Sequence, residues 1–270
     1  MQRHIRRAAL VVHGGAGHLK SHEDGCVAAA QRGYAILAAR GCALDAAIAA
    51  VVALEDDPRF NAGSGSIRRS DNRTVETDAA VMDTRGALGA VACLQRVKNP
   101  VLVAQLVAGT RHWMLAGQGA IDFARRNGFE DYDLLPCAPP LKRADAACDT
   151  VGAVALDWDG HFAVATSTGG SAPALPGRVG DTPIPGCGYY AGPLAAIAAT
   201  GVGEHIVARM LAREVYGWIE NGMPLQQALD RGIASMPAAF SAGLIGVTRT
   251  ESAIASNRDM PAHALEEARE

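Results

Sequence analysis

No apolar run in this chain approaches the ~18 residues of a membrane-spanning helix, so no membrane association is expected. The basic start Met1-Gln2-Arg3-His4-Ile5-Arg6-Arg7 is followed only by Ala8 to Val12 before the run meets His13-Gly14-Gly15. That is too short for the core of a secretory leader, and a cytoplasmic location is the expectation. An excess of one charge is also missing. The net charge is −3, with 20% charged residues, which leaves no basic footprint for nucleic acid or an anionic membrane. The six cysteines include no C-x-x-C pair and no histidine at zinc spacing, so reduced thiols are the plain reading. Repeats and low-complexity tracts are absent as well. What is there is ordinary for a globular protein: 49% hydrophobic residues over 270 positions, enough for a sizeable core. Length alone permits one large domain or two small ones.

Along the chain, Ala8 to Val12 reads as a buried strand ended by His13-Gly14-Gly15-Ala16-Gly17, a glycine turn that permits close backbone approach. His13 beside it is expected to be a structural hydrogen-bonding residue. Cys26 to Arg40 and Ala43 to Glu55 read as helices; Leu44, Ala47, Ile48, Val51 and Val52 form the stripe of the second. Pro58 and the glycines make the stretch from Leu54 to Gly65 a loop, its acidic Glu55-Asp56-Asp57 reading as a solvated helix end. Strands are expected at Thr74 to Met82 and Leu88 to Leu94, with helices from Asn99-Pro100 and around Gln118 to Asn127. Gly128 to Cys148 reads as a flexible loop. Val151 to Asp157 and Phe162 to Thr166 form a hairpin over Asp159-Gly160. One amphipathic helix is expected over Glu204 to Ile219 and another from Pro224 to about Met236. Two last strands, Gly243 to Thr248 and Ser252 to Ala255, precede a loosely ordered tail from Asn257. Paired strands and paired helices in each half predict an α+β fold with two stacked sheets covered by helices on both outer faces.

The stretch with the most chemistry is Asp149-Thr150-Val151-Gly152-Ala153-Val154-Ala155-Leu156-Asp157. A threonine inside a chain is a poor nucleophile, but an N-terminal threonine carries its own base one bond away. An α-amino group titrates near roughly 7.7–8.0, so a usable fraction is uncharged at neutral pH. A cut before Thr150 would therefore create nucleophile and base together. Most Asp-Thr pairs in proteins are ordinary strand starts, and the dipeptide alone decides nothing.

Its surroundings are specific: His13-Gly14-Gly15-Ala16-Gly17, Phe60-Asn61-Ala62-Gly63-Ser64-Gly65, Ala165-Thr166-Ser167-Thr168-Gly169-Gly170, Gly177-Arg178-Val179-Gly180-Asp181-Thr182-Pro183 and Ala199-Thr200-Gly201-Val202-Gly203-Glu204. In this order and spacing, from about Leu10 to Ile245, the chain resembles the plant-type L-asparaginase/isoaspartyl aminopeptidase family of N-terminal-nucleophile hydrolases. The resemblance implies a four-layer αββα sandwich formed by residues 1–270 as one domain, self-cleaved into 1–149 and 150–270. It implies hydrolysis of β-aspartyl amides, from L-asparagine or isoaspartyl dipeptides, with Thr150 as nucleophile and Asp149 contributing the scissile carbonyl. Thr168 would steady Thr150, and the Thr200 hydroxyl and Gly201 amide would hold the oxyanion. Arg178 would answer the substrate α-carboxylate, and Asp181 with the Gly203 carbonyl the α-ammonium. Arg178 and Asp181 could equally pair with each other.

Asn61 would hold a carbonyl and a water, with an Asx-type turn as the even alternative. By the same resemblance, no cofactor takes part in catalysis and backbone carbonyls of Leu54, Glu55, Asp57, Phe60, Ala62 and Ser64 wrap a structural sodium ion. The expected assembly is a dimer of αβ heterodimers whose partner is a small molecule or dipeptide, with no nucleic acid and no membrane. Two other readings stay open: a glycosylasparaginase, and an unprocessed, non-catalytic binding module of the same fold. Asn257-Arg258-Asp259-Met260 departs from the usual closing pattern of the family and puts the width of the substrate opening in question.

Overall fold

The computed structural model describes residues 6–135 and 150–269. Its central strands are built from small and β-branched residues that can be covered on both faces. β1 (Arg6–His13), β5 (Val151–Leu156) and β6 (Phe162–Thr168) are buried almost throughout. They join β2 (Thr77–Asp83), β3 (Leu88–Leu94), β4 (Met114–Ala116) and β11 (Ala262–Arg269) in a seven-stranded sheet of order β11-β1-β5-β6-β2-β3-β4. A second sheet, of order β10-β9-β8-β7, comprises β7 (Tyr189–Gly192), β8 (Ala195–Gly201), β9 (Ala242–Thr248) and β10 (Ser252–Ser256).

Side chains alternate across a strand, so each strand feeds two cores. Ala9 and Val11 of β1 pack with Val154, Val164, Ala196, Ala198, Ile245 and Val247, a cluster that joins the two sheets. Leu10 and Val12 point the other way, into a cluster with α1 (Glu23–Ala38), α2 (Ala43–Asp56) and α3 (Pro100–Ala108). Ile197, Ala199 and Leu244 pack outward against α6 (Leu211–Glu220) and α7 (Leu225–Ala234). The fold is thus mixed α and β, with two sheets that share a core and helices packed against both. Close approach requires small residues: a Cβ on Gly33 would come within 2.5 Å of the Ala46 carbonyl and 2.6 Å of Leu10 Cδ2.

Three sequence expectations change. The single helix expected over Glu204 to Ile219 is two, α5 (Gly203–Arg209) and α6, broken at Met210 with φ 51° and ψ 51°. The amphipathic pattern runs through the break because tertiary bonds, not local preference, end α5. The N–H groups of Ala212 and Arg213 donate to the carbonyls of Cys187 and Gly186, which satisfies donors that open a helix. The tail is not loose: β11 pairs with β1 from His13↔Ala262 to Arg6↔Arg269. Its polar residues suit an edge strand, where Glu266 meets Arg7. The acidic stretch is only partly solvated: Glu55 is fully buried, whereas Asp57 pairs with Arg59 and Asp56 with Lys98. β7 and β8 had no counterpart in the sequence reading. Residues 128–135 carry neither helix nor strand, as expected, and the rest of that loop lies outside the described residues. Cys26, Cys42, Cys93 and Cys187 are free; Cys137 and Cys148 lie outside the described residues. Among the described residues no helix is long and apolar enough to cross a membrane.

Candidate active site

Thr150 stands at the head of β5, 4% exposed. Its N–H donates to Thr200 Oγ1 at 3.2 Å, and the Ala16 N–H reaches the same oxygen at 3.4 Å. The β5–β6 pairing ends at Val151↔Ser167, so one further step brings Thr168 opposite Thr150; Thr168 in turn pairs with Asp78 of β2. The Thr168 hydroxyl accepts the Gly170 N–H at 3.0 Å. The hydroxyl that meets Thr150 Oγ1, at 3.1 Å, belongs to Thr182, whose carbonyl accepts from Thr166 Oγ1 at 3.1 Å. Asp149 lies outside the described residues. Gly201, at the end of β8, has φ 144°, and a Cβ there would run into the Ser241 carbonyl. Only glycine fits that backbone.

Arg178 and Asp181, from one loop, come together with Gly203 at the start of α5. A Cβ on Gly203 would stand 2.8 Å from both Arg178 Nη2 and Asp181 Oδ1, so the absent side chain leaves the space between a guanidinium and a carboxylate open. Arg178 does not pair with Asp181. Its Nε and Nη2 donate to Glu204 Oε1 and Oε2 at 3.0 and 2.9 Å, and Glu204 is mostly exposed. Asp181 is 3% exposed, and its Oδ2 has no hydrogen-bond partner. Burial pushes its carboxyl up to about 7, against the pull of its own N–H and of Arg178. A buried carboxylate oxygen without a donor is costly, and a cationic group would satisfy it.

Beneath this pair lies charge that sequence reasoning missed. Arg69, fully buried, donates from Nε to Glu76 Oε2 at 3.1 Å and from Nη2 to the Arg178 carbonyl at 3.2 Å. Glu76 Oε2 also accepts the Gly177 N–H at 2.7 Å, so the ion pair braces the loop that carries Arg178. Asp78 accepts the Cys93 N–H at 2.8 Å with one oxygen and leaves Oδ2 unpartnered; burial raises it to about 6.

His13 ends β1 fully buried, close to Gly152. Burial drives its pKa down to about 3 despite the opposing pull of the Thr150 backbone, so the ring is neutral. Neither ring nitrogen makes a hydrogen bond of normal geometry, so the structural hydrogen bond expected of His13 is not made. Asn61 is buried and ties its loop to the site: Nδ2 donates to the Gly170 carbonyl at 2.6 Å, Oδ1 accepts the Ile67 N–H at 3.1 Å, and its carbonyl accepts the Gly169 N–H at 2.9 Å. Glu55 turns its side chain to α3, accepting the Val101 N–H at 3.0 Å. Burial pushes it up to about 8, against the donors Val101 and Asn99. The rest of that loop curls around its own carbonyls. A Cβ on Gly63 would meet the Glu55 carbonyl at 2.6 Å, and one on Gly65 would collide with that of Phe60. The carbonyls of Asp57, Phe60 and Ala62 each accept one backbone N–H and keep a second lone pair. Neutral oxygens so gathered fit a hard monovalent cation.

A family model described as asparaginase matches residues 6–139 and 135–268 of this chain. The isoaspartyl peptidase/L-asparaginase of Danio rerio is 43% identical over 251 residues, covering 84% of this chain and 81% of that protein. The Homo sapiens protein of the same name is 41% identical over 268 residues, covering 89% and 87%. The chain belongs to the asparaginase family. Its similarity extends to the plant-type L-asparaginase of Thermococcus kodakarensis, 38% identical over 286 residues that cover 91% of this chain and 90% of the other.

Proposed function

We propose that this protein is an autoprocessed threonine hydrolase of β-aspartyl amides, converting L-asparagine to L-aspartate and ammonia and splitting isoaspartyl dipeptides. The observation that carries the reading is the orphaned Asp181 Oδ2, buried beside Arg178 and one residue before the Thr182 hydroxyl that touches Thr150. Ammonium recognition and the nucleophile are therefore joined by one peptide unit and the hydroxyl contact between Thr182 and Thr150. A substrate held with its α-ammonium on Asp181 and its α-carboxylate on Arg178 presents its side-chain carbonyl at a fixed distance.

The chemistry begins with the chain itself. Thr150 Oγ1 attacks the carbonyl of Asp149, the C–N bond breaks to free the Thr150 amine and leave an ester on Oγ1, and water hydrolyses that ester to an Asp149 carboxylate and a free Thr150 hydroxyl. In turnover the Thr150 hydroxyl attacks the β-carbonyl and its proton passes to that amine. The Thr200 hydroxyl and Gly201 amide stabilise the oxyanion. Collapse expels the leaving amine, which takes the proton, and leaves a β-aspartyl ester on Thr150. Water activated by the same amine then yields aspartate. Thr168, opposite Thr150 across the sheet, steadies it, and Gly203 keeps the substrate pocket open between Arg178 and Asp181.

The same reading makes the layer order helix, sheet, sheet, helix the four-layer αββα sandwich of the N-terminal-nucleophile hydrolases. It gives the loop from Leu54 to Ser64 a structural sodium ion held by backbone carbonyls, and the mature protein the form of a dimer of αβ heterodimers. The deciding test is mass spectrometry with N-terminal sequencing of incubated protein, alongside hydrolysis of β-Asp-Leu. A fragment beginning at Thr150 is expected, and Thr150→Ala should remain intact and inactive. Hydrolysis retained by Thr150→Ala would refute the nucleophile.

A further inference from the structure

Gly17, Ser256, Asn257, Arg258 and Asp259 line a surface groove of about 640 Å³. The groove is tied to the proposed oxyanion residue by short links. The Gly17 N–H donates to the Asp259 carbonyl at 2.7 Å, and the preceding residue, Ala16, donates to Thr200 Oγ1. On the other flank, Asn257 exchanges hydrogen bonds with Ala242, the partner of Gly201 in the sheet. One residue of chain therefore separates the groove from the place where a β-aspartyl carbonyl would react.

Arg258 is fixed rather than loose on that wall. Its Nη1 donates to the Asn257 carbonyl at 2.8 Å and its Nη2 to the Ala238 carbonyl at 2.9 Å. Among the described residues no carboxylate pairs with it. Two of five guanidinium donors are used, so Nε and the second hydrogens of both terminal nitrogens remain for an anion.

We propose that this groove is a leaving-group subsite in which Arg258 binds the free α-carboxylate of the amino acid released from an isoaspartyl dipeptide. The proposal rests on the β-aspartyl hydrolase reading and adds a direction to it. A β-Asp-X dipeptide carries a carboxylate one carbon from the scissile nitrogen, and L-asparagine carries none. The site therefore favours dipeptides with a free C-terminus.

The test uses the processed enzyme and three substrates: β-Asp-Leu, β-Asp-leucinamide, whose carboxylate is capped, and L-asparagine. The wild type should prefer β-Asp-Leu to the amide by ~10-fold in kcat/KM, the scale of one charge-assisted contact near solvent. Arg258→Gln should bring that ratio close to one, and Arg258→Lys should restore part of it. Equal handling of the two dipeptides by the wild type would overturn the subsite while leaving the hydrolase reading intact. So would an Arg258→Gln variant that slows both dipeptides by the same factor, the mark of a structural role. Failure of the wild type to hydrolyse any of the three would remove the hydrolase reading and the subsite with it.

Discussion

Replacing Asp181 with asparagine should make the protein a worse enzyme and a more stable one. The side chain is 3% exposed and Oδ2 has no donor, so its charge is held without compensation until a substrate ammonium arrives. Its carboxyl stands at about 7 against an ordinary 3.8. The folded state therefore holds a proton that the unfolded state releases, and stability falls as pH rises from about 4 to about 7. Three pH units correspond to roughly 4 kcal/mol at pH 8. An asparagine that leaves its own amide poorly paired recovers about half of this. Each kcal/mol moves the midpoint by ~2–4 °C at this chain length, so Asp181→Asn should melt several degrees higher than its parent at pH 8 and several degrees lower at pH 4. Both should carry Thr150→Ala so that the chain stays uncut. In the active background, losing a hydrogen-bonded charge at the ammonium costs about 1.5–3 kcal/mol, or roughly 10- to 150-fold in kcat/KM for L-asparagine. A kcat/KM within threefold of the wild type, or a melting difference that ignores pH, would refute the assignment.

Glu204→Gln should lower KM for L-asparagine by ~2- to 5-fold at low salt, because Arg178 now spends two of its donors on this exposed carboxylate instead of on the substrate. Steady-state kinetics settle it, and a rise in KM would mean that Glu204 aims the guanidinium instead of competing for it. Thr182→Val should reduce kcat by about 5- to 10-fold with KM little changed, since it removes the hydroxyl beside Thr150 Oγ1 and touches neither charge. Single-turnover rates should show the same loss.

The parts of the site legible in the sequence were those whose residue types are demanding. Gly201 and Gly203 are positions where a Cβ has no room, and Arg178 and Asp181 sit between glycines in a loop that the fold brings to Thr150. Arg69, Glu76 and Asp78 stayed hidden because burial is not a local property: Arg69 lies in the polar run from Arg68 to Arg73, which reads as surface, yet its side chain has no exposure. The Arg178–Glu204 pair joins residues 26 positions apart, beyond any periodicity. Most strands and helices followed from alternation and capping, and α2 starts and β3 runs where the pattern says. The break at Met210 escaped because apolar spacing continues across it while the backbone bonds to Gly186 and Cys187 come from elsewhere. β11 escaped because an edge strand tolerates the polar composition of a tail.

In the large sheet, β1 lies between β11 and β5, and β2 lies between β6 and β3. Strands from before and after Thr150 are thus shuffled together like two hands of cards, so neither portion could build the large sheet alone. Scission at that point would sever the covalent thread while every inter-strand rung between the halves endures. Two polypeptides produced separately would have to rebuild that shuffle from scratch, which makes one continuous chain the natural route to a two-piece molecule.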